Sequence, residues 1–382
     1  MRKMSLLLAL VATMTLLAAG VAVTQVPEKR NSSRYIVVLE NAVDSPSRVA
    51  NNMEQRQNLD VGFVYSSALE GFSAEIPHGA VAAVRANPQV AYVERDGPVH
   101  AVAQTLPWGI NRIDADLSST RAGNGSGRVS GVSVYVIDSG VDASHADLNV
   151  VNHVNFRGDG KNRDCSGHGT RVAGVVAAKD NARDVVGVAP GARVIGVKVL
   201  GCDNTGDRST VIEGIDWVTA HAAKPAIANM SFAGPASRAL DGAVRRSRNS
   251  GVFYSVAAGN VGRNACHYSP ARAGAGTNNG IVTTGAINNR GAEPSWSNFG
   301  RCVDIWAPGT RILSTKKGGG TATDSGTSVA SPHVGGTAAL YLSSKPRAAP
   351  ATVESALKSD SVRTGKLSDG GRRIRLVYAG RY

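Results

Sequence analysis

Four short motifs carry residue types suited to acyl transfer, and along the chain they run aspartate, histidine, asparagine, serine. The last is the most informative. Asp324-Ser325-Gly326-Thr327-Ser328-Val329-Ala330-Ser331-Pro332-His333-Val334 is a small-residue turn that puts Ser328 at the start of a helix-forming stretch. A serine hydroxyl is a weak nucleophile. It needs a base for its proton, a group to orient that base, and donors for the oxyanion it creates. Taken alone, Gly-Thr-Ser is an ordinary helix cap, so those partners have to be found upstream. Residues 132–137 read as a buried strand ending in Asp138-Ser139-Gly140, a carboxylate at the C-terminal edge where open α/β sheets collect catalytic groups. An aspartate that caps the next turn has the same local sequence. His168 sits between Gly167 and Gly169, ahead of a small-residue helix over 171–178, with room on both sides to face a cleft or to be a plain loop histidine. Val256-Ala257-Ala258-Gly259-Asn260 ends another strand with an amide that can donate to an oxyanion or simply make a turn.

The elements that must position these residues follow from the apolar pattern. Strand-like runs at 132–137, 193–200, 226–230, 252–257 and 281–286 alternate with helix-like runs at 171–178, 211–221 and 239–250. Strands that are apolar throughout, separated by helices, predict a doubly wound, mostly parallel sheet with helices on both faces. A different pattern precedes it. Residues 35–39, 61–65, 72–76 and 90–94 read as strands, and 47–59 and 80–86 as helices, the βαββαβ order of a small α+β, ferredoxin-like unit. The irregular stretch 95–106 carries Pro98 and reads as an exposed linker.

With 382 residues the chain has ample core for such units. Hydrophobic residues make up 42% and charged residues 19%, and 44 glycines against 5% aromatics predict many tight turns and close backbone approaches. Met1-Arg2-Lys3-Met4-Ser5 leads an apolar run over 6–23 that exits through Ala18, Ala19, Gly20 and Ala22, the pattern of a secretory signal over residues 1–22. No later run is long enough to span a bilayer, which predicts no membrane attachment once the signal is removed. The net charge of +13 raises the question of polyanions, but the basic residues are scattered apart from Arg245-Arg246-Ser247-Arg248 and Arg372-Arg373-Ile374-Arg375, and no nucleic-acid motif accompanies them. Nucleic acid is therefore not an expected partner. Cys165, Cys202, Cys266 and Cys302 lack zinc-ligand spacing and allow three disulfide pairings. The sequential pairing would close two loops of nearly equal length, each worth roughly 3–4 kcal/mol on a chain-entropy model.

The order Asp138, His168, Asn260, Ser328 resembles that of the subtilisin-like serine proteases (subtilases, peptidase family S8), and within them the proteinase K-like, aqualysin-like branch. The resemblance covers nearly everything after the signal. It implies Ser328 as nucleophile, His168 as general base and then acid, Asp138 as its orienting partner, and Asn260 with the Ser328 N–H as oxyanion hole. It implies that a peptide lies between Asn204-Thr205-Gly206 on one side and Ser231-Phe232-Ala233 on the other, with Ala258 and Gly259 completing the first specificity pocket. Small apolar walls there predict broad endopeptidase specificity for apolar or aromatic residues before the cut. The unit over 23–101 resembles an inhibitor I9-type propeptide that acts as intramolecular inhibitor and folding aid, leaving 102–382 as the peptidase domain, a monomer that acts on proteins and peptides. Maturation would be by self-cleavage near Ala101 to Ala103, and the product secreted, directly or through a periplasm. The resemblance also supports Cys165 with Cys202 and Cys266 with Cys302. It implies no cofactor for catalysis but a structural calcium held by Asp304 with the carbonyls of Asn279 and Ile281, while the altered Asp114-Ala115-Asp116-Leu117 puts a second calcium site in doubt. Arg171 stands where the family usually has histidine, Val329 where it has methionine, and Arg208 where the fourth specificity pocket is often aromatic.

Overall fold

A computed structural model of the chain describes residues 32–41, 43–97, 104–276 and 278–382. The expected signal, 1–22, and the expected cleavage region, 101–103, lie outside the described residues. The chain divides into two compact units, one before and one after the linker.

The first unit runs Ser32–Leu39, Pro46–Gln57, Asp60–Tyr65, Gly71–Pro77, Val81–Arg85, Val90–Arg95, which is the expected βαββαβ order. Its antiparallel sheet has Gly71–Pro77 and Val90–Arg95 on either side of Ser32–Leu39, with Asp60–Tyr65 outside Gly71–Pro77. Pro46–Gln57 starts where Ser45 Oγ accepts from Arg48 N with Pro46 in the first turn, and it ends at Asn58 in the left-handed region. The helix turns Val49, Ala50 and Met53 onto Val37, Leu39, Phe72 and Ile76, closing a small core.

The second unit is built on a nine-stranded sheet, ordered Val362–Leu367, Arg373–Leu376, Ile305–Pro308, Ile281–Ile287, Val252–Ala257, Ala226–Met230, Ser133–Asp138, Arg193–Lys198, Val150–Asn155. All neighbours are parallel except the pair Val362–Leu367 and Arg373–Leu376 at one edge. Side-chain alternation explains why the strands read as wholly apolar. Val134 and Val136 of Ser133–Asp138 join the core under the helices His168–Ala177 and Thr327–Ser344, while Tyr135 and Ile137 join the core under Arg208–His221 and Arg238–Asn249. Ser133–Asp138 pairs with Arg193–Lys198 on one side and Ala226–Met230 on the other, so the winding reverses here and a crevice opens at its C-terminal end. Asp138 is its last residue.

The doubly wound architecture is as expected, but several elements escaped the sequence reading. The edge strand Val150–Asn155 carries Asn152, His153 and Asn155, which break any apolar run. Ile305–Pro308 is short and closes in proline, and the hairpin Ile312–Thr315 with Thr321–Asp324 is half polar. The helix Pro350–Asp360 went unread as well. Among the described residues no helix is long and apolar enough to cross a membrane.

Candidate active site

Asp138 is fully buried, and its Oδ1 accepts from His168 Nδ1 at 2.7 Å and from Ser139 N at 2.7 Å. His168 opens the helix His168–Ala177, three residues earlier than expected, so the ring projects from the first turn. A carboxylate builds that turn. Asp164 Oδ1 accepts from Ser166 N, Gly167 N and the Ser139 hydroxyl, and Oδ2 from the N–H and hydroxyl of Thr170. Gly169 is needed because a Cβ there would stand 2.0 Å from the Gly140 carbonyl oxygen, keeping the helix off the aspartate strand. The His168 side chain remains 15% exposed. Burial pulls its pKa down, but the Asp138 charge and hydrogen bond outweigh that and leave it above the ordinary histidine value. His333, by contrast, is fully buried in the nucleophile's helix, and burial drops it to about 4, so it stays neutral and takes no part as a base at neutral pH.

Ser328 is the second residue of Thr327–Ser344 and not its cap; Gly326 holds the cap position without a capping side chain of its own. The cap comes from Asn260, whose Oδ1 accepts from Thr327 N at 2.8 Å and Thr327 Oγ1 at 2.7 Å. An N–H must meet an oxygen, so these bonds fix the amide with its NH₂ pointing away from the helix. The Ser328 N–H, in the first turn, has no acceptor among the described residues. A Cβ built on Gly326 would lie 2.7 Å from Ser328 Oγ, 3.1 Å from Asn260 Nδ2 and 3.5 Å from Ser328 N. Ser328 Oγ, Asn260 Nδ2 and the Ser328 N–H thus face one small space that glycine leaves open.

Pro332 lies inside this helix and has no N–H for the carbonyl of Ser328 four residues back. That carbonyl accepts instead from Ser231 Oγ at 2.6 Å, and Ser231 is held by Asn229 Nδ2 at 2.8 Å, whose Oδ1 takes Ser331 Oγ at 2.8 Å. The side chain of Ser231, a residue expected on the substrate-pairing strand, therefore supports the Ser328 carbonyl. The other expected substrate residues come together as walls. Asn204, Thr205 and Gly206 face Phe232 and Ala233 across a cavity of about 270 Å³, and Arg208 crosses it to donate from Nη2 to the Pro235 carbonyl at 3.3 Å. A Cβ on Gly259 would meet the Ala233 Cβ at 3.4 Å, so the third wall stands beside the second. Buried Asn298 holds that wall, donating to the Ala258 carbonyl and accepting from Val261 N and Arg263 N.

Cys165 is bonded to Cys202 and Cys266 to Cys302, the sequential pairing. The expected calcium residues are only partly assembled for that purpose. Ile281 O and Asp304 Oδ2 do approach one point, lying 2.5 and 3.2 Å from a Cβ built on Gly274. The Asn279 side chain, which is not the expected donor, donates to Gly274 O and accepts from Ile281 N. Asp304 Oδ2 accepts from Thr283 N at 2.9 Å, and Oδ1 takes the Lys358 ammonium at 2.7 Å. The set does not fit a divalent cation, because its one carboxylate already holds a cation.

Thr327, Asp164 and Asn298 were missed by sequence reasoning, as was the supporting role of Ser231. Asp164 and Thr327 stand inside the motifs that carry His168 and Ser328, and Asn298 stands in none of the four motifs.

The profile of the Subtilase family (Peptidase S8) matches residues 129–372. The chain is a subtilase. A Peptidase inhibitor I9 profile matches residues 34–101 of the same subtilase, over the small first unit. Among curated relatives, the extracellular serine proteinase of Thermus sp. (strain Rt41A) is 43% identical over 306 residues, 77% of this chain and 71% of that protein. Alkaline serine exoprotease A of Vibrio alginolyticus is 37% identical over 373 residues, 91% of this chain and 67% of that one. Proteinase R of Parengyodontium album is 38% identical over 291 residues, 73% of this chain and 72% of its own. A cold adapted subtilisin-like serine proteinase of known crystal structure superposes with a TM-score of 0.64 at 40% identity, covering 71% of this subtilase and 97% of that chain. The subtilase is a serine endopeptidase with an I9 module ahead of its peptidase unit.

Proposed function

We propose that this subtilase is a secreted endopeptidase of broad specificity that hydrolyses peptide bonds through an acyl-enzyme formed on Ser328. The single observation that carries the reading is the shared space at Gly326, onto which Ser328 Oγ, Asn260 Nδ2 and the Ser328 N–H all open. His168, with Nδ1 committed to Asp138, has Nε2 to take the Ser328 proton as Oγ attacks the scissile carbonyl. The oxyanion forms against Asn260 and the Ser328 N–H, where the helix dipole adds to the attraction. His168 then gives the proton to the leaving amine, and water, activated by the same imidazole, frees the acyl group. Ser328 and His168 share no hydrogen bond among the described residues, a separation that substrate closes in many such sites.

A peptide held between the wall of Asn204-Thr205-Gly206 and that of Phe232-Ala233 is bound mainly through its backbone, which favours breadth over choice of side chain. Small Ala258 and Gly259 suit an apolar or aromatic residue before the cut. Arg208 fills one end of the cleft, so peptide-library profiles of Arg208→Tyr should change four residues before the cut; identical profiles would remove Arg208 from specificity. The reading includes a precursor with its signal in 1–22 and its propeptide in 23–101, removed by self-cleavage, and a mature domain over 102–382. Extracellular relatives support export. The test is to express the precursor with and without Ser328→Ala and follow its size. The unaltered chain shortens and then hydrolyses casein, whereas the variant stays long and inactive. Equal shortening of both would overturn self-cleavage.

A further inference from the structure

The helix Pro350–Asp360 brings an acid and a cation to the start of the strand Ile281–Ile287. Glu354 is fully buried and spends Oε2 on Gly280 N at 2.6 Å. Its Oε1 binds the Lys358 ammonium one turn on, and the same ammonium reaches Asp304 Oδ1 at 2.7 Å. Asp304 Oδ2 is on Thr283 N. All four carboxylate oxygens of two buried acids are thus satisfied, two by backbone N–H groups of one strand start and two by one ammonium.

We infer that Lys358 is a built-in replacement for a metal ion, supplying from within the chain the positive charge that the family resemblance assigned to calcium. The surroundings agree. The cavity of about 340 Å³ beside Asp304 is lined by Arg301, Arg372 and Arg375 as well as Lys358, and among the described residues Asp304 is its only acid. Arg372 and Arg375 donate to carbonyls and a hydroxyl rather than to carboxylates, so their charges stay available to oppose a second cation. The device also ties the helix Pro350–Asp360 to the sheet at Gly280 and Thr283 whatever the calcium concentration.

Melting of the mature enzyme, silenced with a sulfonyl fluoride, tests this in chelator and in millimolar calcium. The unaltered protein sets the baseline for any calcium bound elsewhere. Lys358→Met should melt about 8 °C lower in chelator, since two buried acids then face each other unpaired. Calcium should restore more of that loss than the baseline shift, and the double variant Lys358→Met/Asp304→Asn should show the baseline shift alone. Melting of Lys358→Met within about 2 °C of the unaltered protein would overturn the inference. So would a loss that calcium restores no better than baseline, which would leave an ion pair and nothing more. A second measurement does not depend on that variant folding. Calcium stoichiometry by equilibrium dialysis should be equal for the unaltered protein and Asp304→Asn, and one ion fewer in Asp304→Asn would place calcium on Asp304 and refute the replacement.

Discussion

The carboxylates of Asp138 and Asp304 are both buried, one closing a parallel strand and the other standing immediately ahead of a second strand in the same sheet. Each accepts one backbone N–H and one basic side chain. Asp138 takes Ser139 N and His168; Asp304 takes Thr283 N and Lys358. What separates them is the partner and what lies beyond it. An imidazole titrates near neutrality and has a second nitrogen, so the Asp138 pair can pass a proton toward Ser328. An ammonium held above its usual range stays charged and has only donors, so the Asp304 pair can only hold. Similar burial and similar coordination thus give a reactive centre in one place and a fastening in the other.

Breaking the first pair should have the largest effect. Asp138→Asn keeps the shape but allows the amide to donate to Nδ1, fixing the wrong tautomer, and kcat on a peptide substrate should fall about 10⁴-fold, the size known for the same substitution in the serine-protease triad. The pH profile should sharpen the contrast. His168 must be neutral to act as base and lies above 6.5, so kcat/KM rises as pH climbs through a value above 6.5, and in Asp138→Asn that limb should move to lower pH because the Asp138 charge no longer opposes burial of the ring. Stability follows the same sign. The protonated imidazole stabilises the fold below about 6.5 and that contribution fades as pH rises through the raised value, so Asp138→Asn should lose more stability at about pH 5 than at about pH 9.

Next in size is Asn260→Asp, which keeps the oxygen that caps Thr327 and removes the donor. A kcat lower by at least about 10²–10³ with a nearly unchanged melting temperature is expected, the loss of a donor in a subtilisin setting the lower bound and repulsion between carboxylate and oxyanion adding to it; a large melting loss would mean the cap had failed too. Asp304→Asn should reverse the pattern, leaving kcat within about twofold while unfolding free energy in urea falls by about 2 kcal/mol, since Glu354 still holds the ammonium. The smallest effect is expected for Ser231→Ala. It leaves the Ser328 carbonyl without a donor, at a cost of about 1 kcal/mol of stability and a modest fall in kcat.

The reactive half of this comparison was legible in the sequence, and of the holding half only Asp304 was, through the family resemblance. Asp138, His168, Asn260 and Ser328 sit at ends of apolar runs, where the change from buried strand or helix to polar residue is itself the signal. Lys358 lies on a helix whose sequence looks like any solvated stretch, and its partners Asp304 and Glu354 are 54 and 4 residues away; periodicity connects the nearer but not the farther. Thr327 and Asn298 escaped for a related reason. Their work is done through hydrogen bonds to residues made neighbours only by the sheet, so closeness to Ser328 marks Thr327 without revealing what it bonds, and the local sequence of Asn298 does not show its role.

The cap on the nucleophile's helix has one more consequence. Asn260 and Thr327 belong to segments that meet only after the strand Val252–Ala257 has entered the sheet and the helix Thr327–Ser344 has seated on it. Until then the amide has nothing to turn its NH₂ toward Gly326. The arrangement around Gly326 therefore exists only where both segments are in place, and a chain in which either is unfolded lacks it.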